Sequence, residues 1–246
     1  MSLGCAIIAY NEEKNIERTL KSVSFCDEIV VVDSGSSDNT VQIAKKYTDK
    51  VYYQEWLGYG KQKNFAISKL NTDWVLSIDA DEVVSKNLAS EIKTTVENTE
   101  QAAFLINIQL VFMGKKLRFG GTYPDYHLRL FKKGYFAFDE SDIHEGIQTD
   151  KKAAKLKNVI LHYSYDSLQD YLQKFNSYTT LIAQKHKKNG KRVSKIFPFL
   201  RMSFELFKRF VLMGAFLDGY EGSVYALMSS FYVFVKYAKL MELNRK

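Results

Sequence analysis

The chain has 246 residues, 46% of them hydrophobic and 26% charged, with 2 Pro and 13 Gly, a globular composition that excludes a disordered, collagenous or low-complexity chain. Its two cysteines, Cys5 and Cys26, form no CxxC pair, which speaks against a disulfide framework or a cysteine zinc site and fits a reducing compartment. The formal charge of +7 is uneven: residues 151–246 hold 18 Lys and Arg against 6 Asp and Glu, residues 1–150 hold 17 against 22, so the basic half calls for an anionic partner, nucleic acid or an acidic membrane surface.

The first ten residues have no basic stretch, and their apolar run is broken at Asn11-Glu12-Glu13; no signal peptide and a cytoplasmic protein are expected. Residues 5–9 and 29–32 are short continuous apolar runs, the pattern of parallel strands covered on both faces. Between them Ile16, Leu20 and Val23 recur at helical spacing, making a βαβ unit. A helix is predicted after Asp38-Asn39, then strands at 51–53 and 74–78 and a half-buried strand at 104–110. A loop over 119–126 and short strands at 128–131 and 135–138 follow, then a loop over 139–145. From Asp166 the period is helical to Asn189-Gly190, a stop signal. A further helix opens near Pro198, its Arg201, Glu205, Lys208 and Arg209 confined to a sector of about 100° beside a wide apolar face. A last helix is expected over 224–240. Residues 222–235 are uncharged but fall short of the roughly 20 apolar residues needed to span a bilayer. This order predicts an α/β catalytic domain over 1–165 and a basic helical region over 166–246.

Two segments carry chemistry. Val30-Val31-Val32-Asp33-Ser34-Gly35 is an apolar strand emptying into an acid and small residues, where α/β sheets bind ligands. Asp33 suits a base or ribose, although a turn with a helix cap reads the same way. The segment lacks GxGxxG and the P-loop pattern, which disfavours dinucleotide and Walker-type sites. The second is Ile78-Asp79-Ala80-Asp81-Glu82. Acids at i and i+2 of an extended chain point the same way, and such a pair suits Mg²⁺ or Mn²⁺ held together with a substrate diphosphate. The alternative is that Asp81 and Glu82 cap a helix beginning near Val83.

In order, Ala9-Tyr10-Asn11-Glu12, Asp33-Ser34-Gly35-Ser36-Ser37-Asp38, Lys61-Gln62-Lys63-Asn64-Phe65-Ala66 and Asp79-Ala80-Asp81 resemble the family 2 glycosyltransferases of the GT-A fold, a Rossmann-like mixed sheet. The resemblance implies that Ala9, Tyr10, Glu12 and Asp33 line the nucleotide and that Lys63 lies near it. It implies Asp81 as the main metal contact, with Asp79 beside it on ribose or metal, and inverting transfer from a nucleoside-diphosphate sugar. The second half is similar to the lipopolysaccharide core β-1,4-glucosyltransferases through Tyr123-Pro124-Asp125, Leu128-Arg129-Leu130-Phe131, His144-Glu145, His162-Tyr163-Ser164 and Asp218-Gly219. This implies a UDP-sugar donor, glucose as the hexose, and a lipopolysaccharide inner-core or related cell-envelope acceptor.

Inverting displacement needs a base opposite the metal. Glu145 is the candidate and Asp142 its rival, with His144 orienting the carboxylate or the acceptor. Arg129 suits a diphosphate or an acceptor phosphate, or is a solvated charge at a strand edge; His162 is a ligand, an acceptor contact or a structural histidine. The basic amphipathic end suits a peripheral protein on the inner face of the cytoplasmic membrane, or packs on the catalytic domain or on a second subunit in a homodimer. Other readings are a different nucleotide-sugar transferase of envelope polysaccharide synthesis, a nucleotidyltransferase, or a nucleic-acid-binding protein using the basic helices. The last leaves the acids after the strand unexplained, so no nucleic acid is expected as a partner.

Overall fold

The computed structural model describes residues 1–139 and 153–245. The strands β1 (Leu3–Ala9), β2 (Glu28–Asp33), β3 (Val51–Tyr53), β4 (Trp74–Asp79), β5 (Glu82–Val84), β6 (Ala103–Phe112), β7 (Lys115–Lys116), β8 (Tyr126–Lys132) and β9 (Ala154–Tyr165) form one mixed sheet. Its order is β3-β2-β1-β4-β8-β6-β9-β5, with β7 paired to β6. The chain divides into two compact units, Met1–Ile108 with Asp125–Tyr163, and Gln109–Pro124 with Ser164–Lys246. Residues 109–124, counted with the catalytic domain by the sequence reading, therefore group with the carboxyl-terminal helices.

In the first unit β1, β2, β3 and β4 run parallel, and all seven residues of β1 are buried. The reason is visible in the packing: Cys5, Ile7 and Ala9 enter one apolar cluster with Trp74, Leu76 and Ile78, while Ala6 and Ile8 enter another with Val30, Val32 and Val75. A strand covered on both faces has no use for alternation. Helices α1 (Ile16–Ser22), α2 (Thr40–Ala44), α3 (Tyr59–Ser68) and α4 (Lys86–Asn98) complete this unit.

Two local expectations are corrected. Residues 82–84 do not open a helix; they form β5, antiparallel to β9, and α4 starts after the Ser85 cap, whose side chain accepts from Leu88 N. Residues 135–138 are not a strand: the chain turns at Gly134, φ +83°, and only Phe138 makes a bridge. Phe138 is held instead by Asn64, whose side chain bonds both its amide and its carbonyl.

The second unit contains α5 (Leu168–Lys188), α6 (Phe197–Phe207), a π-helical turn over Lys208–Leu212, a 3₁₀ turn over Ala215–Asp218, and α7 (Gly219–Leu243). Phe112, Leu117, Tyr171 and Phe175 form one core cluster, and Ala183, Val233, Tyr237 and Leu240 another. Asp218 is buried and its Oδ2 accepts from the amides of Arg118 and Phe119 at 2.7 and 2.8 Å. The polar sector of α6 turns inward: Glu205 is buried, Arg209 Nε donates to Glu205 Oε1 at 2.7 Å, and Arg209 Nη1 donates to Gly120 O at 2.9 Å. Of the apolar face, Phe197 and Phe199 pack on Tyr237 and Phe234, while Leu200, Phe204 and Phe207 are left exposed. Among the described residues no helix is long and apolar enough to cross a membrane.

Candidate active site

Parallel strands deliver their carboxyl ends to one edge of the sheet. Register pairs Ala9 with Asp33 and Ile8 with Asp79, so the residues following β1, β2 and β4 emerge side by side, where open α/β sheets bind ligands.

The loops after β1 and β2 are stitched together. Asn11, in the left-handed region at φ 54°, donates its amide to Ser36 Oγ and accepts from Ser37 N on its side chain, both at 2.8 Å. Glu12 N donates to Thr40 Oγ1, and Asn15 Nδ2 donates to Glu12 Oε2 at 2.6 Å. Tyr10 is exposed beside them. Asp33 is buried, and its carboxylate accepts from Gly35 N and Ser36 N at 2.8 Å each and from the Ser36 hydroxyl. It therefore shapes its own loop, with Gly35 supplying a φ of +94°.

Asp79 ends β4 between two cations. Lys63, 1% exposed on α3, places Nζ 3.1 Å from Asp79 Oδ1; Arg129, 4% exposed on β8, places Nη2 3.1 Å from Asp79 Oδ2. The same Nη2 lies 2.7 Å from Oε1 of the fully buried Glu82, whose Oε2 accepts from Asp79 N at 2.9 Å. Burial pushes the Asp79 carboxyl up, but Lys63 and Arg129 outweigh it and hold the group well below the usual carboxylate range. For Glu82 burial dominates over Arg129 and the pKa is raised. Arg129 is thus no solvated edge charge.

The chain turns at residues 80–81, so Asp79 and Asp81 do not share one face of an extended strand. Thr19 Oγ1 holds the turn by donating to Ala80 O at 2.7 Å, and Tyr163 N donates to Asp81 O at 2.9 Å. Asp81 Oδ2 meets His162 Nε2 at 3.2 Å. Burial disfavours the imidazolium, yet Asp81, with Glu82 and Asp79 behind it, raises the His162 pKa. Among the described residues no group of three or more His, Cys, Asp or Glu forms a metal cage. Asp81 offers carboxylate oxygens of the kind that suit Mg²⁺ or Mn²⁺, with the His162 imidazole beside it.

The structure thus brings Lys63, Asp79 and Arg129 into direct contact, places Asp81 on the adjoining turn, and sets Ala9, Tyr10, Glu12 and Asp33 on neighbouring loops. Asp142, His144 and Glu145 lie outside the described residues. Reading the sequence missed Glu82 and Gln62, a buried residue whose Nε2 donates to Ser34 Oγ and Gln54 O at 2.8 Å. A signal for Glu82 existed: an arginine inside the apolar run Leu128-Arg129-Leu130-Phe131 needs a buried acid. His127 pairs with Asp125 at 3.0 Å.

Comparison with known proteins agrees with this geometry. The sequence model for "Glycosyl transferase family 2" matches residues 5–151. An uncharacterized glycosyltransferase of Rickettsia bellii is 35% identical over 251 residues, covering 97% of this chain and 85% of that protein. The lipopolysaccharide core biosynthesis glycosyltransferase LpsC of Rhizobium meliloti is 28% identical over 256 residues, covering 97% of this chain and 94% of LpsC. In fold the chain is similar to S. aureus TarS 1-349, solved in complex with UDP-GlcNAc, at a TM-score of 0.51 and 17% identity over 98% of this chain and 89% of that one. The mixed sheet is thus the GT-A arrangement, and with the family match covering more than half of its residues the chain belongs to glycosyl transferase family 2 and is a glycosyltransferase.

Proposed function

We propose that this glycosyltransferase moves a hexose, glucose on the motifs of its second half, from a UDP-sugar to a lipopolysaccharide inner-core or related envelope glycan by an inverting, divalent-metal-dependent single displacement. The observation that carries the reading is the Lys63–Asp79–Arg129 clamp beside the Asp81–His162 pair at the carboxyl edge of β1, β2 and β4. The similarity to LpsC supports the acceptor class, and that to TarS supports a nucleotide-sugar fold.

Asp81 and His162 are the residues to hold Mg²⁺ or Mn²⁺, which when bound offsets the charge developing on the leaving diphosphate. Asp79, kept ionised and fixed by its two cations, accepts from a ribose hydroxyl. Glu12 and Asp33, with the backbone of Ala9 and Tyr10, border the nucleotide end. Arg129, bound to Asp79 and Glu82, fixes the clamp from the acceptor-side strand. Glu145 is the proposed base that removes the acceptor proton, Asp142 the runner-up, and His144 the orienting group. This reading sets the protein at the inner face of the cytoplasmic membrane, where its proposed acceptor is assembled.

Calorimetric titration with UDP tests the reading. Binding should require Mn²⁺ or Mg²⁺, and Asp81→Ala should abolish the metal-dependent part and lower turnover at least ~100-fold. UDP binding that ignores both the metal and the substitution overturns the metal assignment.

A further inference from the structure

The surface of α6 and the turns that follow it takes no part in the proposed transfer chemistry. An amphipathic helix in a soluble protein buries its apolar stripe and shows its charges to water; here the order is reversed. Glu205, at the centre of the polar sector, is buried and bonded to Arg209, which is tied in turn to the carbonyl of Gly120. Leu200, Phe204, Phe207, Leu212, Phe216 and Leu217 are each at least half exposed. Helix rotation cannot hide them without dragging an ion pair into solvent and leaving the Gly120 carbonyl without its guanidinium.

Charge identifies what covers this face. Between Asp170 and Asp218 the chain carries ten Lys and Arg, and its single acid is Glu205, already neutralised by Arg209. Lys185, Lys187, Lys188, Arg192 and Lys195 are exposed. An apolar surface with a rim of one sign matches an anionic phospholipid leaflet, whose headgroups neutralise the rim while its acyl chains receive the aromatic rings. A second copy of the chain is a poorer match, since a two-fold interface sets the same patch against itself and brings the two basic rims together.

We infer that residues 196–217 are a monotopic membrane-insertion surface, which lies in an anionic leaflet without crossing it. The inference deepens the proposed transfer to a lipid-linked glycan and rests on that reading for its setting, but its test uses neither donor nor acceptor. The full chain is sedimented with phosphatidylcholine vesicles and with vesicles containing phosphatidylglycerol. It should partition onto the anionic vesicles and, at 1 M salt, lose much of that binding as the rim is screened. The double variant Phe204→Ser/Leu212→Ser changes only exposed side chains, so its thermal melt should match wild type while vesicle binding falls at least ~10-fold. Reversing Lys187 and Lys188 to Glu should weaken binding to anionic vesicles only. Absence of vesicle binding by the wild-type chain overturns the inference, as does undiminished binding by the double variant. A dimer dissolved by the same two substitutions, without vesicle binding, overturns it in favour of a second copy. UDP binding measured in the same preparations reports separately on the proposed transfer.

Discussion

Arg129 is the residue on which the site's electrostatics turn. It is buried and joins the carboxylates of Asp79 and Glu82, so removing it strands Glu82 in a low-dielectric interior rather than merely subtracting a contact. Breaking a buried pair from one side typically costs about 3–5 kcal/mol; Arg129→Met should lose that much in urea unfolding, and a cost below 1 kcal/mol would show that Glu82 finds water instead. Glu145→Gln belongs to the same scale and has the opposite signature. It should leave UDP affinity unchanged while sugar transfer falls at least ~100-fold; full transfer would move the base to Asp142. Residue identity pointed to Asp33, Asp79 and Arg129, because charges in or at the end of apolar strands are rare enough to carry information, whereas Lys63 followed only from the family resemblance. Glu82 looked like a helix cap for want of its partner, which lies 47 residues away along the chain.

At the scale of the element, local patterning made β1, β2 and β4 legible, since a continuous apolar run can only be a covered strand or a buried helix segment and theirs are too short for the latter. β5 and β9 were not legible. β5 is three residues long and exists through its pairing with β9, and β9 intersperses Lys155, Lys157, Asn158 and His162 among its apolar positions. What pins β9 to α4 is Glu91, whose carboxylate accepts from Lys157 N, Asn158 N and Asn158 Nδ2 at 2.8–2.9 Å. Partial burial pushes the Glu91 pKa up, but these donors outweigh it and lower the pKa. A carboxyl lowered on folding contributes fully above its unfolded pKa and loses that contribution as the pH falls through the folded one. Glu91→Gln should therefore cost about 1 kcal/mol at pH 7 and flatten the fall in stability below pH 5; an unchanged acid limb in denaturant titrations would rule the pin out. In the second unit, a Cβ on Gly222 of α7 would lie 2.4 Å from Ala215 O and 2.5 Å from Asp218 Cβ. Gly222→Ala should destabilise by about 1–3 kcal/mol through that clash, read as a lowered melting temperature, with no change in melting disproving the contact.

For the whole molecule, the charge asymmetry seen in the composition acquires a physical meaning. The basic excess lies in residues 151–246, where it borders an apolar skin, and residues 1–150 are net acidic. The amphipathic period of α6 was legible, but which face it would bury was not, because that depends on Gly120, 89 residues away from Arg209. The acidic half raises a difficulty for the proposed diphosphate donor, since a site carrying Asp79, Asp81 and Glu82 would repel it at long range. The clamp removes the difficulty. Lys63 and Arg129 are set against Asp79 and Glu82, and His162 against Asp81, so each of the three acids has a basic partner, and in the proposed transfer an incoming diphosphate meets Asp79 within an ion pair instead of as a bare like charge.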